Sequence, residues 1–208
     1  MSDGREKKRR KWSWALVAVL VPVALVGGGC WLLNDHPVVS RATAMAELDS
    51  AVDGSLGAID PPLSSASLGS YDVAPHYQYG FDLKLHSTGD ASFSREQVVL
   101  TDIVPAKFAT FREQEEKYWR SHGYTDIHAK TNTTMGGYQQ PVLSATSPAG
   151  AKIAVTLGHP DRASADVTAS VDWVEFGKGG AWQSPQPPGP KVGVAVDWPV
   201  VDDPFWSH

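Results

Sequence analysis

Three of the seven histidines have a spacing that could bring them to one site. His122 and His128 are six residues apart across the end of a predicted helix and the start of the next strand, and His86 lies on the polar side of the first predicted strand. Imidazole nitrogens brought together in this way could bind zinc. No spacing forces the three side chains to converge, and isolated surface histidines are the simpler interpretation. The sequence therefore predicts no metal ligand and no cofactor.

Adjacent carboxylates are the other candidates for chemistry, at Asp202-Asp203 and at Glu115-Glu116. Spacing alone supports no acid or base role for either pair, so both are interpreted as solvating charges. The sequence has no Gly-x-Ser-x-Gly elbow, phosphate-binding glycine loop, His-Glu-x-x-His motif or cysteine pair for zinc. We therefore predict no catalytic or cofactor-binding residues, and a protein that is not an enzyme.

The charges are distributed unevenly along the 208 residues. The chain has 18 basic and 23 acidic side chains, a net charge of −5. Residues 1–11 hold six of the basic and two of the acidic groups, which leaves 12 basic against 21 acidic groups in the remainder. This acidic bulk excludes a protein that binds nucleic acid through a basic surface.

An uncharged segment follows the basic tail. It runs from Trp12 to Leu33, and in a helix Trp12 and Trp31 would lie about 28 Å apart, which matches the hydrocarbon core of a bilayer. The two indoles would then lie at the two interfaces, and the basic residues would keep the N-terminus in the cytoplasm. We expect a single-pass signal-anchor helix over 12–33, with residues 34–208 outside the cell membrane.

Two forms of processing compete with a permanent anchor. A small-residue cleavage site at Ala42-Thr-Ala44 lies about ten residues beyond the span, too far for a usual signal peptidase site. The end of the span, Val26 to Cys30, is similar to a bacterial lipobox, but Gly27 replaces the branched aliphatic residue of that pattern. An unmodified Cys30 within the helix is therefore favoured over acylation. As the only cysteine, it allows no intrachain disulfide in the outer part.

Residues 34–70 are predicted to form a stalk, with a helix over 40–59 followed by a linker. Ser40 can cap the helix, and the prolines Pro61-Pro62 end it. Apolar residues recur at three- and four-residue spacing, at Met45, Leu48, Val52, Leu56 and Ile59. This stripe either packs on the protein's own domain, which is the simpler alternative, or forms a seam for a second copy.

Residues 71–177 are predicted to fold as an extracytoplasmic α+β domain. From Tyr77 to Leu85 apolar and polar residues alternate, which predicts a strand with one buried face. A helix is predicted to begin at Pro105 and to end at His122, with Gly123 as its left-handed cap. Its apolar side carries Phe108, Phe111, Tyr118 and Trp119, and its acidic side is interpreted as a solvated face.

Four further strands are predicted over 125–131, 142–146, 153–157 and 167–176. Ser147 to Gly150 reads as a hairpin turn between two of them. In the last strand, Trp173 is expected on the side of Val167 and Val171, with Val174 on the opposite side. The order of elements predicts a small antiparallel sheet with one helix across one face, a β-α-β-β-β arrangement.

Residues 178–208 form a tail rich in glycine and proline. A last strand pattern runs from Val192 to Trp198 and could pair back onto the sheet. The aromatic residues Trp198, Phe205 and Trp206 either dock on the protein's own domain, which is the simpler alternative, or add to the sheet edge of a partner.

The segment from Tyr118-Trp119 to Gly123-Tyr124 closes a helix ahead of a strand and a short hairpin, behind a basic N-terminus and one span. In these features residues 100–176 resemble uncharacterised actinobacterial membrane-anchored or lipoprotein-like envelope proteins. The resemblance implies a location and a fold, but no activity, ligand or site residue.

Taken as a whole, the sequence favours a non-enzymatic envelope protein anchored in the membrane lipid bilayer. Its outer domain is expected to bind another envelope component, through the sheet edge or the C-terminal tail, and no nucleic acid. The alternative is a sensor domain that binds a small molecule or glycan beside exposed aromatic residues such as Tyr138 or Trp182.

Overall fold

In the residues that the structure describes, seven antiparallel strands and two helices build the domain. The structure is a computed structural model, and it describes residues 37–158, 165–177, 182–189 and 199–208. The elements in chain order are α1 (Arg41–Gly57), β1 (Ser65–Ser67), β2 (Asp72–Tyr79), β3 (Leu85–Val99), a 3-10 turn (Pro105–Lys107), α2 (Phe108–Ser121), β4 (Thr125–Thr133), β5 (Gln139–Thr146), β6 (Lys152–Leu157) and β7 (Ala165–Glu175). The predicted α+β class with an antiparallel sheet is confirmed.

The strand order across the sheet is β1-β3-β7-β6-β5-β4, and β2 also pairs with β3. β1 pairs with the end of β3 and β2 with its earlier part, so both lie along the same edge of that strand. β7 occupies the other edge of β3, although it comes last in the chain. The stretch that follows the first predicted strand shows no clear pattern in the sequence. In the structure it forms most of the long strand β3, at the centre of the fold.

Helix α1 packs on the sheet as part of the domain, on β3 and β7. Ser40 caps it, because its hydroxyl accepts a hydrogen bond from the backbone N–H of Thr43. Its buried residues are Ala44, Leu48, Ala51, Val52 and Ser55. At Gly54 a Cβ would lie 2.1 Å from the hydroxyl of Tyr118 on α2, so Tyr118 would have to move to admit a larger residue there. The packing of the stripe on its own domain is thus the alternative that the structure shows.

Helix α2 buries Phe111, Glu115 and Trp119, which are four residues apart and share one face. The indole nitrogen of Trp119 donates to the Ser55 hydroxyl at 2.8 Å, which ties α2 to α1. Gly123 takes a φ of +76° and ends the helix, as the sequence predicts. Two helices, rather than the single predicted helix, therefore cover one face of the sheet.

The core fills the space between the helices and that face. Its largest side chains from the sheet include Phe93, Ile153 and Val155. The prediction for β7 is wrong at one point: Val174 is fully buried, while Trp173 lies at 4.8 Å, ring to ring, from His76. A register shift between β3 and β7 and a left-handed φ of 59° at Trp173 reverse the expected alternation.

The prediction of one buried strand over residues 77–85 is also wrong. β2 ends at Tyr79, the chain turns, and β3 begins at Leu85. Leu83 takes a left-handed φ of 59° in the turn, and the Gly80 backbone N–H bonds to the Lys84 carbonyl at 2.9 Å. The apolar alternation therefore continues through a hairpin, and its apolar side chains are exposed.

Part of the C-terminal tail packs against the domain. Val201 bridges to Thr101, and Trp206 is fully buried. The indole nitrogen of Trp206 donates to the Pro61 carbonyl at 2.8 Å, and its ring lies 6.2 Å from that of Phe111. For Trp206, docking on its own domain is the alternative that the structure shows.

Three sequence predictions concern residues outside the described ranges: the span over 12–33, the state of Cys30, and the strand from Val192 to Trp198. Within the described ranges, neither helix is long and apolar enough to cross a membrane.

Candidate functional site

The β2–β3 arm, residues 77–87, carries five exposed large hydrophobic side chains in the part of the chain that the structure describes. Phe81 and Leu83 at its tip are 104% and 84% exposed, and Tyr79 is 74% exposed. Tyr79 pairs across the strands with Leu85, so these two side chains lie on the same face of the arm. Exposed apolar side chains of this kind make the arm the candidate interaction surface of the described domain.

The tip of the arm has a defined conformation. The carboxylate of Asp82 accepts a hydrogen bond from the backbone N–H of Lys84 at 3.2 Å and lies 2.9 Å from Nε2 of His86. The contact with His86, which has the larger effect, and the bond from Lys84 together hold the pKa of Asp82 below its ordinary value. The aromatic and aliphatic side chains of the tip are therefore presented by an internally bonded turn.

A polar network holds the base of the arm on the face of the sheet opposite the helices. His76 on β2 has Nδ1 at 2.6 Å from a carboxylate oxygen of Asp90 and Nε2 at 2.8 Å from the Ser92 hydroxyl, both on β3. Ser92 donates to Asp172 on β7 at 2.6 Å, and Lys152 on β6 donates to the same carboxylate at 2.9 Å. These five side chains, the base network, connect four strands.

The proton positions in the base network follow from the hydrogen-bond chemistry. A serine hydroxyl has one proton, and donation by Ser92 together with Lys152 holds the pKa of Asp172 below its ordinary value. Ser92 therefore has only its lone pairs to offer Nε2 of His76, while Nδ1 of His76 contacts the Asp90 carboxylate. The Ser-His-Asp order matches a hydrolase triad, but the serine proton is directed away from the imidazole. The network therefore acts as a polar clamp across the four strands.

A cleft of about 360 Å³ lies between α2 and the strands β4 to β6. Phe108 and Phe111 form its helix side, and Leu143, Val155 and Leu157 contribute its strand side. Arg112 on α2 and Lys130 on β4 also line it. Lys130 pairs with Val142, while its neighbour Ala129 pairs with the core residue Leu143, so the Lys130 side chain lies on the sheet face away from α2. The cleft is therefore an apolar recess with one cation, Arg112, and its size is one that small ligands use.

A buried acid lies between the two helices. Glu115 is fully buried, and neither of its carboxyl oxygens has a hydrogen-bond partner in the described part of the chain. Burial raises the pKa of Glu115 to about 8, and the nearby Ser55 hydroxyl only partly opposes this rise. Burial also raises the pKa of Tyr124 to about 12 and that of Tyr118 above its ordinary value. Glu115 is thus protonated over most of the neutral range.

The three histidines considered from the sequence lie in separate surroundings. His86 belongs to the arm tip, His122 lies at the end of α2 with its Nδ1 2.9 Å from the Tyr118 carbonyl, and His128 lies on β4 beside Asp126. No group of three or more metal-ligating side chains converges within residues that the structure describes.

The acidic pairs divide into surface and structural roles. Glu116 pairs with Arg120 at 2.8 Å on the surface, as predicted, but the prediction of a solvating role for Glu115 is wrong, because that side chain faces α1. Asp203 accepts hydrogen bonds from the backbone N–H groups of Phe205 and Trp206 and so orders the tail.

The aromatic residues suggested for ligand stacking also differ from each other. Tyr138 is exposed in the turn between β4 and β5. Trp182 instead packs on Phe93, with 5.0 Å between the ring centroids, so its ring belongs to the border of the core.

Sequence reasoning missed the base network completely. His76 and Asp90 are fourteen residues apart and meet only because the hairpin turn and two strand irregularities set their register. Asp90 and Ser92 are two residues apart in one strand, and this spacing alone does not indicate a hydrogen-bond network. Only the turn at Gly80, had it been recognised, could have brought these residues together in a sequence-based argument.

No protein-family model matches the chain, and no curated protein matches it in sequence.

Proposed function

We propose that this is a single-pass membrane protein of the cell envelope whose extracytoplasmic domain binds another envelope protein through the β2–β3 arm. The observation that carries the proposal is the arm tip, where Phe81 and Leu83 are held exposed by a bonded turn. The uncharged segment 12–33 and the basic residues before it support the anchor and its orientation.

The composition of the arm matches that of protein interfaces. Tyrosine and phenylalanine are enriched where two proteins meet, because they bury a large area at a small cost in side-chain entropy. The clamp at the base of the arm reduces the motion that a partner would have to arrest. Tyr77, Tyr79 and Phe81 are therefore assigned as the main contact residues.

The edge of β2 offers a second element of recognition. In the described part of the chain, β2 pairs with β3 alone, so its outer backbone groups over Asp72–Tyr79 face away from the sheet. An extended segment of a partner could add a strand there, with its side chains next to the tyrosines. This is the sheet-edge contact that the sequence suggests.

A protein partner fits the arm better than a lipid surface does. The chain beyond residue 11 has nine more acidic than basic groups, and at the arm tip Asp82 and Lys84 balance each other. Anionic lipids would repel the acidic domain. The aromatic tip would then have to enter the headgroup region against this repulsion.

Photo-crosslinking in intact cells tests the proposal. A photoreactive residue at position 81 should yield a discrete crosslinked protein, and the same residue at position 135 should not. Met135 is a matched control because it is also fully exposed at a strand turn, but it lies between β4 and β5. Equal products from both positions, or crosslinks to lipid alone from position 81, would show that the arm is not a protein-binding element.

The orientation has its own test. Protease added to intact cells should remove an epitope at the C-terminus and spare one at the N-terminus. The opposite pattern would contradict an extracytoplasmic domain. The mass of the purified full-length chain would at the same time show whether the span is cleaved or Cys30 is acylated.

A small-molecule sensor is the second candidate function. The cleft between α2 and the strands β4 to β6 favours it, since an apolar recess with a few polar groups is the usual form of a ligand site. We propose no catalytic role for the base network, because Ser92 donates its proton to Asp172.

A further inference from the structure

We infer that helix α2 is a pH-controlled element of the domain: loss of the proton of Glu115 releases α2 from α1 and from the C-terminal Trp206 that packs against it. The element lies apart from the β2–β3 arm, so the inference does not depend on the proposed function.

The acid lies in the joint between the two helices. Glu115 shares the buried face of α2 with Phe111 and Trp119. Both carboxyl oxygens are buried, and neither has a hydrogen-bond partner in the described part of the chain. The nearby Ser55 hydroxyl of α1 already accepts the indole N–H of Trp119 at 2.8 Å. A neutral carboxyl can remain in such a place, whereas a carboxylate without partners is strongly disfavoured there.

Among the described residues, no cation compensates a charge on Glu115, because its oxygens have no partner. Arg112, three residues earlier on α2, has its carboxylate contact with Glu116 at 3.7 Å. The titratable groups that surround the acid are neutral or negative, namely Tyr118 of α2, Tyr124 ahead of β4 and Glu47 of α1. Ionised Glu115 can therefore gain stabilisation only by reaching water.

The packing beneath α2 leaves room for such a movement. The cleft of about 360 Å³ lies between Phe108 and Phe111 of the helix and Leu143 and Val155 of the sheet. Helix α1, in contrast, packs directly on β3 and β7. An element with open space beneath it loses less packing when it shifts, so α2 is the element that can open locally.

The bonds that hold α2 to the α1 segment are polar. Gln114 exchanges two hydrogen bonds with the backbone of Asp60, at 2.7 and 2.8 Å, and Trp119 adds its bond to Ser55. Water can replace each of these bonds once the joint opens. The apolar contacts and the protonated state of Glu115 therefore decide whether α2 stays in place.

The C-terminal tail is attached to the same helix. The ring of Trp206 lies 6.2 Å from that of Phe111, and the Trp206 carbonyl accepts a hydrogen bond from the Val104 backbone N–H at 3.0 Å. Movement of α2 removes one wall of this contact. The Val104 amide is therefore a reporter of the docked tail.

The direction of the pH dependence follows from the two states of the acid. Burial raises the pKa of Glu115 to about 8, and exposure to water in the released helix returns it to its ordinary value of 4.5. Release is therefore accompanied by proton loss between these values, and it becomes about tenfold more favourable per pH unit from about pH 5 to about pH 8. Above that range Glu115 is ionised in both states and the dependence levels off.

Hydrogen exchange of the 38–208 fragment tests the inference. This segment is one compact unit, and the core residues described above all lie within it, so it should fold alone. After correction for the intrinsic exchange rate, the opening equilibrium for the amides of residues 111–119 and of Val104 should be about a hundredfold larger at pH 8 than at pH 6. This opening should depend only weakly on urea, unlike that of the β3 and β7 amides, because a local opening exposes little surface.

Two adjacent substitutions separate the buried acid from surface charge. Glu115→Gln keeps the size of the side chain but cannot ionise, so the opening of α2 should become independent of pH between about pH 5 and pH 8. The matched control is Glu116→Gln, which removes the surface carboxylate of the next residue and should leave the pH dependence as it is. If Glu115→Gln does not fold, the pH and urea series of the unchanged fragment decide the matter.

Two results overturn the inference. One is exchange of the α2 amides only together with those of β3 and β7, which would make the helix and the sheet one cooperative unit. The other is an equal pH dependence in Glu115→Gln and Glu116→Gln, which would assign the proton to another group. The arm crosslinking at position 81 is independent of both results, so a failure here leaves the proposed function of the arm to its own test.

Discussion

Strand β3 passes through two regions, the arm and the core, in which the relation between hydrophobicity and burial is reversed. In the arm its first residue, Leu85, faces the same side as Tyr79, and both side chains are exposed. In the core half of the strand, Arg95 and Gln97 are almost completely buried next to Phe93. The more apolar segment is thus the exposed one, and the buried segment carries a cation.

The difference shows what burial depends on. Arg95 is buried because α1 supplies Asp49 and Asp53, whose carboxylates lie 3.1 and 2.8 Å from its guanidinium nitrogens. No helix of the described chain covers the arm, so its apolar face remains open to a partner. Apolar alternation therefore indicates a surface that can be covered, while the elements opposite decide whether this chain covers it.

The largest expected effect is in the core half. Phe93→Ala should lower the free energy of unfolding of the 38–208 fragment by about 3–5 kcal/mol, because a fully buried ring leaves a cavity among Phe176 and Trp182. Urea denaturation measures this loss. A loss below about 1 kcal/mol would mean that this half of β3 is no more essential than the arm.

The next effect comes from the buried acid. The folded state raises the pKa of Glu115 to about 8, so between its ordinary value of 4.5 and pH 8 folding must take up a proton, and stability falls as pH rises. Glu115→Gln removes this dependence and should stabilise the domain by roughly 3 kcal/mol at pH 7, with little effect at pH 4. Equal denaturation midpoints for both proteins across pH 4–8 would contradict the burial of a protonated acid.

A smaller effect is expected at the joint between the two regions. Ser92→Ala leaves His76 and Asp172 each without one hydrogen bond and should cost about 1–2 kcal/mol. Asp172 has a lowered pKa, so its contribution is present above its ordinary value of 3.8 and is lost as pH falls through the lower folded value. The cost of the substitution should therefore shrink in unfolding experiments below pH 4. A constant cost down to pH 2 would argue against the clamp.

The smallest effect belongs to the arm tip. Phe81→Ala should change the free energy of unfolding by less than about 0.5 kcal/mol, since the ring is fully exposed and contributes little to the fold. The same variant should lose the crosslinked partner when the photoreactive residue is moved to position 79. A destabilisation close to that of Phe93→Ala would show that the arm is packed in solution and that the contrast is false.

Much of the local structure was predictable from the sequence. The cap at Ser40, the helix end at Gly123 and the strand of Ile153 and Val155 depend on residues close together in the chain. Local hydrogen bonds and periodicity decide such features, so the sequence shows them directly.

The candidate sites were not predictable in the same way. The arm, the base network and the cleft all depend on which distant elements pack together. Tyr79 reads as a core residue until the turn at Gly80 is known, and Glu115 reads as a surface charge until α1 is placed opposite it. Register shifts add to this, because one extra residue at Trp173 exchanges the faces of the residues around it.

The burial of Trp206 has a consequence for biosynthesis. Its indole packs against Phe111 and donates to the Pro61 carbonyl, so the interior of the domain cannot close until residue 206 has been synthesised. Until then the nascent domain lacks part of its native interior. For the same reason, a protease that removes residues 199–208 would expose Phe111 and destabilise the domain.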